Sequence, residues 1–387
     1  MKKNVRKVKE YNNNWPIVAI CYDFDKTLSP KDMQDFGLIP KLNCDISSFW
    51  KESNERAAKE GMDRILSYMR LIIDKASQHG VTVSESDFKK LGKSIVLFPG
   101  VESWFQRINA YAESIRINLE HYIISAGLKE IIAGTSIAKY FTEIYASSFI
   151  YTEYGAPFWP RQVVNYTTKT QHLFRISKNC LDLSDESRVN EYIKSENRRI
   201  PFKNFIYIGD SETDIPAMRV VKKGGGTSIG VYNSETANIG RAAKLLMQER
   251  IDYLVPAVYE ENSRLDVLVK DTLKRIKSQE SLATLHKQQN EYVDRICELE
   301  YLIDYTKRYL QDDDYELDDL QNIQKQAKQI FRDLNRELLD DFAEMVTEDE
   351  IKKIVEEKKA LLNDMFNKKK RSLKDKTKRL NSPPPIE

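Results

Sequence analysis

Two aspartates with one residue between them, Asp23 and Asp25, are followed by Thr27 and follow the apolar run 17–22. The run has the length and β-branched content of a buried strand. Residues i and i+2 of an extended chain point to the same side. The two carboxylates therefore repel unless a cation bridges them or one is protonated. This arrangement predicts covalent phosphoryl transfer, in which one aspartate attacks phosphorus, the other moves a proton and Mg²⁺ screens the charge. The alternative is a strand that ends in an ordinary acidic turn.

A second strand-like run ends in a small hydroxyl residue and a glycine, in the sequence IISAG at 123–127. Ser125 carries a donor suited to a phosphoryl oxygen, and the neighbouring backbone N–H groups add to it. The alternative is a plain turn or cap, since serine and glycine end many strands.

A lysine, Lys169, stands in the sequence NYTTKTQ at 165–171, ahead of a predicted helix over 172–178. A cation here would neutralise a transferring phosphoryl group and keep a nucleophilic carboxylate ionised. Because the chain has 61 lysines and arginines, one lysine is weakly specific, and Lys178 is the competing candidate.

The sequence GDSETD at 209–214 places Asp210 at the end of another strand-like run and Asp214 four residues later. Mg²⁺ binds one or two protein carboxylates together with phosphate and water oxygens. Asp210 is therefore a candidate ligand, and Asp214 either binds the ion or holds a bound water. A helix N-cap by Asp210 or Ser211 is the alternative, and it explains one acid but not both.

Strand-like runs and helical patterns alternate along the first part of the chain. The strands are predicted over 17–22, 119–124, 143–146, 205–208 and 227–231. The alternation predicts an α/β fold with a doubly wound, mostly parallel sheet. Ligands of such sheets bind at the carboxyl ends of the strands, where the candidate residues lie.

The stretch 32–97 has a helical pattern instead, with an apolar stripe at residues 65, 68, 69, 72 and 73. We interpret it as a helical cap inserted between the first strand and the rest of the sheet. Such a cap either closes over the site and excludes water or only adds a layer of packing. The pattern leaves open which of its large side chains faces the site, the candidates being Trp50, Arg56, Arg64, Tyr68 and Arg70.

Taken in order, the motifs DFDKT (23–27), IISAG (123–127), a lysine near 169 and GDSETD (209–214) resemble those of the haloacid dehalogenase-like superfamily of phosphohydrolases. The resemblance covers about residues 15–240 and implies a Rossmann-like core. The helical cap after the first motif looks most like the phosphoserine phosphatase-type branch.

The resemblance implies a role for each matching residue. Asp23 would be the nucleophile that forms an aspartyl-phosphate, and Asp25 the general acid and base. Lys169 would balance charge, while Thr27, Ser125 and the backbone at Ala126 would hold phosphoryl oxygens. The implied Mg²⁺ ligands are Asp23, the backbone carbonyl of Asp25, and Asp210, with Asp214 in support.

Two details qualify the match. The family often has glycine after the second aspartate, where this chain has Lys26, which restricts the turn but leaves the chemical groups intact. The second aspartate itself argues against a dehalogenase, because carbon–halogen cleavage by this fold uses neither that residue nor Mg²⁺.

Composition sets the domain plan of the 387-residue chain. All 14 glycines lie at or before Gly240, and residues 257–382 contain neither glycine nor proline. The predicted units are a catalytic core (1–31 and 98–258), the helical cap (32–97), a helical hairpin or coiled coil (259–375) and a basic tail (368–387). The four cysteines are scattered and no segment has the length of a membrane span, which fits a cytoplasmic protein.

The C-terminal region has apolar stripes at helical spacing over 296–310 and 320–334, with a predicted turn at 311–316 and a third helix from Thr347. Residues 260–370 therefore serve a homo-oligomer or a protein partner, or else form an intramolecular bundle. Residues 368–379 carry eight Lys/Arg and one Asp, a net charge of +7. This run suits nucleic acid, an anionic membrane surface or a phosphorylated substrate, and the alternative is a solvated tail.

The sequence thus predicts a Mg²⁺-dependent phosphatase that acts on a small phosphorylated substrate. Two other hypotheses stay open. One is a nucleic-acid end phosphatase recruited by the basic tail, and the other is a phosphate-sensing or scaffold protein that acts through its C-terminal helices.

Overall fold

The computed structural model describes residues 11–12, 14–235 and 239–311, and shorter pieces beyond them: 322, 325–326, 329, 332, 356–357, 359–368 and 371. The chain separates into two compact units, Met1–Glu280 and Ser281–Glu387. All the predicted site residues lie in the first unit.

Seven strands of the described residues form one sheet in the order β4-β3-β2-β1-β5-β6-β7. All neighbours pair in parallel except β3 and β4, which are antiparallel. The strands are β1 (Ile17–Tyr22), β2 (Asn118–Leu128), β3 (Glu143–Tyr151), β4 (Pro157–Gln162), β5 (Phe205–Gly209), β6 (Thr227–Tyr232) and β7 (Tyr253–Pro256). The prediction of an α/β fold with a mostly parallel sheet is confirmed.

The central strand β1 is buried on both faces. Val18, Ile20 and Tyr22 belong to the core on one face of the sheet, and Ala19 and Cys21 belong to the core on the other. A strand covered by helices on both sides needs apolar residues at every position, which explains its unbroken apolar run.

Two strands, β4 and β7, were not predicted. β4 lies at one edge of the sheet and contains Pro157 and Pro160. Prolines lack a backbone N–H donor, so the sequence pattern is typical of a loop. Its Phe158 and Trp159 are 64% and 62% exposed, so it lacks the alternating burial of a half-buried strand.

Helices flank the sheet and fill the cap segment. Their bounds are α1 (Leu38–Lys41), α2 (Ile46–Glu60), α3 (Arg64–Gln78), α4 (Glu85–Leu91), α5 (Val101–Ser114), α6 (Lys129–Ala133), α7 (Thr168–Ser177), α8 (Glu186–Asn190), α9 (Ile215–Lys223), α10 (Ile239–Met247) and α11 (Arg264–Gln311). Short 3₁₀ helices cover Met33–Phe36, Gly92–Ser94, Ala138–Tyr140, Ser195–Asn197, Phe202–Asn204 and Glu212–Asp214.

The segment between β1 and α5 is helical, with α2 and α3 as its longest elements. Gly61 ends α2 in a left-handed conformation, with φ of 60°. Asp63 then caps α3, because its carboxylate accepts hydrogen bonds from the backbone N–H groups of Ile65 and Leu66 at 2.8 and 3.2 Å. Tyr68, in the apolar stripe of α3, is buried in the same core as β1.

Helix α7 begins at Thr168, and the prediction of a helix start at His172 was wrong. The side chain of Asn165 accepts hydrogen bonds from the N–H groups of Thr167 and Thr168 at 3.1 and 3.0 Å, which starts the helix earlier. Lys169 therefore lies in the first turn of α7 and not in a loop before it.

The C-terminal prediction is described only in part. Residues 296–310 are helical within α11 and residues 359–368 are helical, as predicted. The predicted turn after α11, nearly all of the second helix and most of the basic run 368–379 lie outside the described residues. No helix in the described portion is both long and apolar enough to cross a membrane.

Candidate active site

The candidate residues gather at the carboxyl ends of three adjacent strands. Asp23 follows β1, Asp210 follows β5, and Ser125 lies near the end of β2. Because β1 pairs with both β2 and β5, these three residues come together, as expected for a parallel sheet.

Asp23 is buried, at 6% exposure, and its carboxylate is held on both oxygens. Its Oδ1 accepts a hydrogen bond from the Phe24 N–H at 2.8 Å, and its Oδ2 lies 3.1 Å from Nζ of Lys169. Burial, offset in part by the Lys169 charge, raises the pKa of Asp23 from 3.8 to about 6.

Lys169 is fully buried, and its ammonium bridges two carboxylates, since Nζ also lies 2.7 Å from Oδ1 of Asp214. Burial favours the neutral amine, but the charges of Asp214 and Asp23 outweigh it and hold the pKa of Lys169 above its ordinary value. The competing lysine, Lys178, donates instead to the backbone carbonyls of Val189, at 2.7 Å, and Glu191.

The carboxylate of Asp214 is surrounded by donors. Besides Lys169, it accepts from the Tyr207 hydroxyl at 2.8 Å and from the N–H and hydroxyl of Ser211 at 3.3 and 3.2 Å. Gly209 makes room for it, because a Cβ at that position would lie 2.7 Å from the Asp214 carboxyl carbon. Asp214 is thus built to orient Lys169 and the start of the GDSETD turn.

The sequence did not single out Tyr207. The only signal available was a tyrosine within the otherwise aliphatic end of β5.

Asp25 is anchored at one oxygen, Oδ1, which accepts a hydrogen bond from the Met33 N–H at 2.7 Å. Its other oxygen faces Gly127, where a Cβ would lie 2.9 Å from Oδ2 and only 2.1 Å from the Met33 methyl carbon. Burial and the charges of Asp32 and Asp23 raise the pKa of Asp25 well above its ordinary value. A raised pKa favours the protonated form of this carboxyl group, which is the form that can donate a proton.

Lys26 adopts the backbone conformation that a glycine would favour, with φ of 59°. A left-handed conformation costs a lysine about 1 kcal/mol. Its Nζ is held by Asp32, at 3.0 and 2.7 Å from the two carboxylate oxygens. The buried Thr27 follows, with its hydroxyl 3.5 Å from Oδ1 of Asp210.

The end of β2 contacts the cap segment. Ser125 accepts a hydrogen bond from the Gly127 N–H at 3.1 Å, which leaves its own hydroxyl proton free to donate. The carbonyl of Ala126 accepts a hydrogen bond from the Tyr68 hydroxyl at 2.8 Å.

Of the five cap candidates named from the sequence, Tyr68 therefore reaches the predicted phosphate-binding strand end. Arg56 and Arg70 instead pair with Asp74 within the cap, at 2.6 and 2.9 Å.

The donor set fits Mg²⁺. Asp23, Asp210 and Asp214 each offer a carboxylate oxygen, and these atoms lie within 4.8 Å of one another. Ligand oxygens of one Mg²⁺ ion are about 3–4 Å apart, and all three donors are the hard oxygens that this ion prefers. This group of described residues does not include the Asp25 carboxylate. Burial and the charges of Asp214 and Asp23 raise the pKa of Asp210 well above its ordinary value, and the charges of Lys169 and Lys26 offset this only in part.

This electrostatic setting predicts how the metal-free protein responds to pH. Because the folded pKa of Asp23, about 6, exceeds the unfolded value of 3.8, the folded state holds more protons between these values. Stability contributed by this group is therefore lost as pH rises from about 4 to 6. We expect thermal melts in EDTA to show this loss, Asp23→Asn to reduce it, and Mg²⁺ to reverse it at pH 7. A slope that Asp23→Asn leaves unchanged would contradict the assignment.

Comparisons with known proteins agree with this geometry. The model of the haloacid dehalogenase-like hydrolase family matches residues 20–219, just over half of the chain. The chain therefore belongs to the haloacid dehalogenase-like hydrolase family, and the predicted family and hydrolase class are confirmed. An uncharacterized protein of Borreliella burgdorferi is 28% identical over 286 residues, which cover 66% of this chain and 95% of that protein.

Solved structures with a similar chain fold include a haloacid dehalogenase-like family hydrolase from Salmonella enterica serovar Typhi. It is 16% identical, with a TM-score of 0.44, over 67% of this chain and 72% of that chain. Another is a phospho-aspartyl intermediate analogue of phosphoserine phosphatase, at 16% identity and a TM-score of 0.41, over 66% of this chain and 98% of that chain.

Proposed function

We propose that this hydrolase is a Mg²⁺-dependent phosphomonoesterase that works through an aspartyl-phosphate on Asp23. The observation that carries the proposal is the setting of the Asp23 carboxylate, which lies 3.1 Å from buried Lys169 and close enough to Asp210 to share an ion. A nucleophilic carboxylate needs a nearby cation to stay ionised at neutral pH when burial raises its pKa.

In the first step, a carboxylate oxygen of Asp23 forms a bond to phosphorus as the bond to the leaving oxygen breaks. Asp25 gives its proton to that oxygen, a role that suits its raised pKa. In the second step, Asp25 takes a proton from water, the water oxygen bonds to phosphorus, and the Asp23 carboxylate leaves. Inorganic phosphate is the product.

The phosphoryl oxygens are held by hydrogen-bond donors from two strand ends. We assign this role to the hydroxyls of Thr27 and Ser125 and to the N–H of Ala126. The ammonium of Lys169 faces the same centre and offsets the negative charge that grows there.

Asp23 and Asp210 would hold Mg²⁺, together with the backbone carbonyl of Asp25. Asp214 would act in support, since its oxygens already accept four hydrogen bonds. When bound, the ion would neutralise charge on the acids and the phosphoryl group.

We propose a small phosphorylated substrate, as in a phosphatase whose helical cap covers the site. The contact between Tyr68 and Ala126 supports this assignment, because it brings the cap against the phosphate-binding strand end. We also place the protein in the cytoplasm, in keeping with its free cysteines Cys21, Cys44, Cys180 and Cys297.

The test is phosphate release from an aryl phosphate by the full chain. We expect turnover that EDTA abolishes and that added Mg²⁺ restores. A protein that binds Mg²⁺, as shown by a rise in melting temperature, yet releases no phosphate from aryl phosphate or from a panel of phosphorylated metabolites would refute the proposal.

A further inference from the structure

The catalytic loop, residues 23–29 after β1, contains a backbone carbonyl, that of Thr27, whose hydrogen bond comes from outside the loop. The N–H groups of Thr27, Leu28 and Ser29 all donate to the carbonyl of Phe24, at 3.3, 2.9 and 3.2 Å. The carbonyl of Thr27 instead accepts a hydrogen bond from the hydroxyl of Tyr259, at 3.0 Å. Both residues are fully buried, so water cannot replace this bond without opening the core.

Tyr259 is itself fixed from several sides. Its N–H donates to the carbonyl of Pro99 at 2.8 Å, and its carbonyl accepts a hydrogen bond from Arg107. Its ring meets Trp104 edge to face, with centroids 5.4 Å apart. Gly100 permits the close approach, because a Cβ there would lie 2.4 Å from the backbone nitrogen of Glu260. The hydroxyl of Tyr259 therefore has a set position.

Trp104, which packs against Tyr259, also contacts Tyr22, the residue before the proposed nucleophile Asp23. The indole N–H of Trp104 donates to the hydroxyl of Tyr22 at 2.9 Å. Burial raises the pKa of Tyr259 well above its ordinary value, and the charges of Tyr22 and Asp210 add to the effect. Tyr259 therefore keeps its proton and acts as a donor beside the site.

The loop has a reason to need such an anchor. Lys26, directly before Thr27, holds a left-handed conformation that a lysine adopts at a cost in free energy. A strained residue persists only where its surroundings hold it in place, and the bond from Tyr259 lies at the next residue.

We propose that Tyr259 is a positioning residue of the catalytic loop, acting through the carbonyl of Thr27. It keeps the Thr27 hydroxyl and the Asp25 carboxyl group aligned with Asp23. The inference rests on the proposed function and extends the site beyond the family-matched residues 20–219.

The test compares two variants that each lose one hydrogen bond from a tyrosine hydroxyl to a backbone carbonyl. One bond lies at the catalytic loop and the other lies elsewhere. Tyr259→Phe removes only the hydroxyl that reaches Thr27. Tyr145→Phe is the matched control, because Tyr145 is also buried and its hydroxyl donates to the carbonyl of Leu181 at 3.0 Å. We expect both to lower the melting temperature by about the same few degrees. Only Tyr259→Phe should lower kcat for an aryl phosphate, about tenfold, with KM within about twofold of wild type.

Hydrogen exchange supplies a readout that does not need activity. Amides of residues 26–29 should exchange about tenfold faster in Tyr259→Phe and at the wild-type rate in Tyr145→Phe. Unchanged exchange in Tyr259→Phe, or an equal fall of kcat in both variants, would overturn the inference. A wild-type protein without phosphatase activity would refute the proposed function. The amide exchange rates of residues 26–29 would still show whether Tyr259 holds the loop in place.

Discussion

Asp23→Asn abolishes phosphate release while the protein stays folded. We expect kcat for an aryl phosphate to fall by at least about 10⁴-fold, since an amide cannot form the acyl phosphate. Asparagine keeps the size of the side chain and removes a carboxylate whose ionised form is disfavoured by burial. The melting temperature in EDTA at pH 7 should therefore equal or exceed that of wild type.

Two measurements complete this test. Circular dichroism shows whether the variant is folded, and mass spectrometry of acid-quenched wild type shows the covalent phosphate on the peptide that contains residue 23. Substantial turnover by folded Asp23→Asn would contradict the nucleophile assignment.

Lys169→Met affects stability and activity together. The change leaves Asp23 and Asp214 without the buried cation that now lies 3.1 and 2.7 Å from them. Removing one partner of a buried ion pair costs about 3–5 kcal/mol, so we expect a fall in melting temperature on the order of 10 °C. We also expect kcat/KM to fall by about 100-fold or more, because the growing charge at phosphorus loses its cation.

Lys178→Met is the matched control, since Lys178 donates to the backbone carbonyls of Val189 and Glu191, which are not site residues, and it should retain wild-type kcat. The double variant Lys169→Met/Asp214→Asn removes one of the two stranded charges. It should regain part of the lost melting temperature but not the lost activity. Wild-type kcat in Lys169→Met would exclude Lys169 from the catalytic centre.

The chemistry-bearing strands were predictable from local sequence. β1 and β5 are apolar runs that end in acidic residues, and burial on both faces of a doubly wound sheet demands that pattern. Their carboxyl ends meet because parallel pairing brings them to one edge. That β1 and β5 are neighbours, so that Asp23 and Asp210 meet, was implied by the family resemblance and not by the fold class.

Other elements escaped because their signals were weak or ambiguous. β7 has only four residues, and the proline-containing β4 reads as a loop. The early start of α7 depends on hydrogen bonds to the side chain of Asn165. Such bonds form in turns as well as at helix starts, so the sequence does not distinguish the two.

The supporting side chains of the site needed the three-dimensional structure. Tyr207, Tyr68 and Tyr259 reach Asp214, Ala126 and Thr27 through single hydroxyls. For Tyr68 and Tyr259, the partner lies far away along the chain. No periodicity or motif reports such a contact, because a tyrosine in a buried run is first of all a large apolar residue.

Lys26 shows a different limit. Its left-handed backbone could not be predicted from the residue type, since few lysines adopt that conformation.

The edge strand β4 has a consequence for self-association. Its two prolines leave gaps in the row of backbone donors that another chain would need to add an eighth strand. Without the prolines, the exposed aromatic rings of Phe158 and Trp159 would favour aggregation by addition of strands at this edge. The missing donors therefore disfavour extension of the sheet from one copy of the protein to the next along this edge.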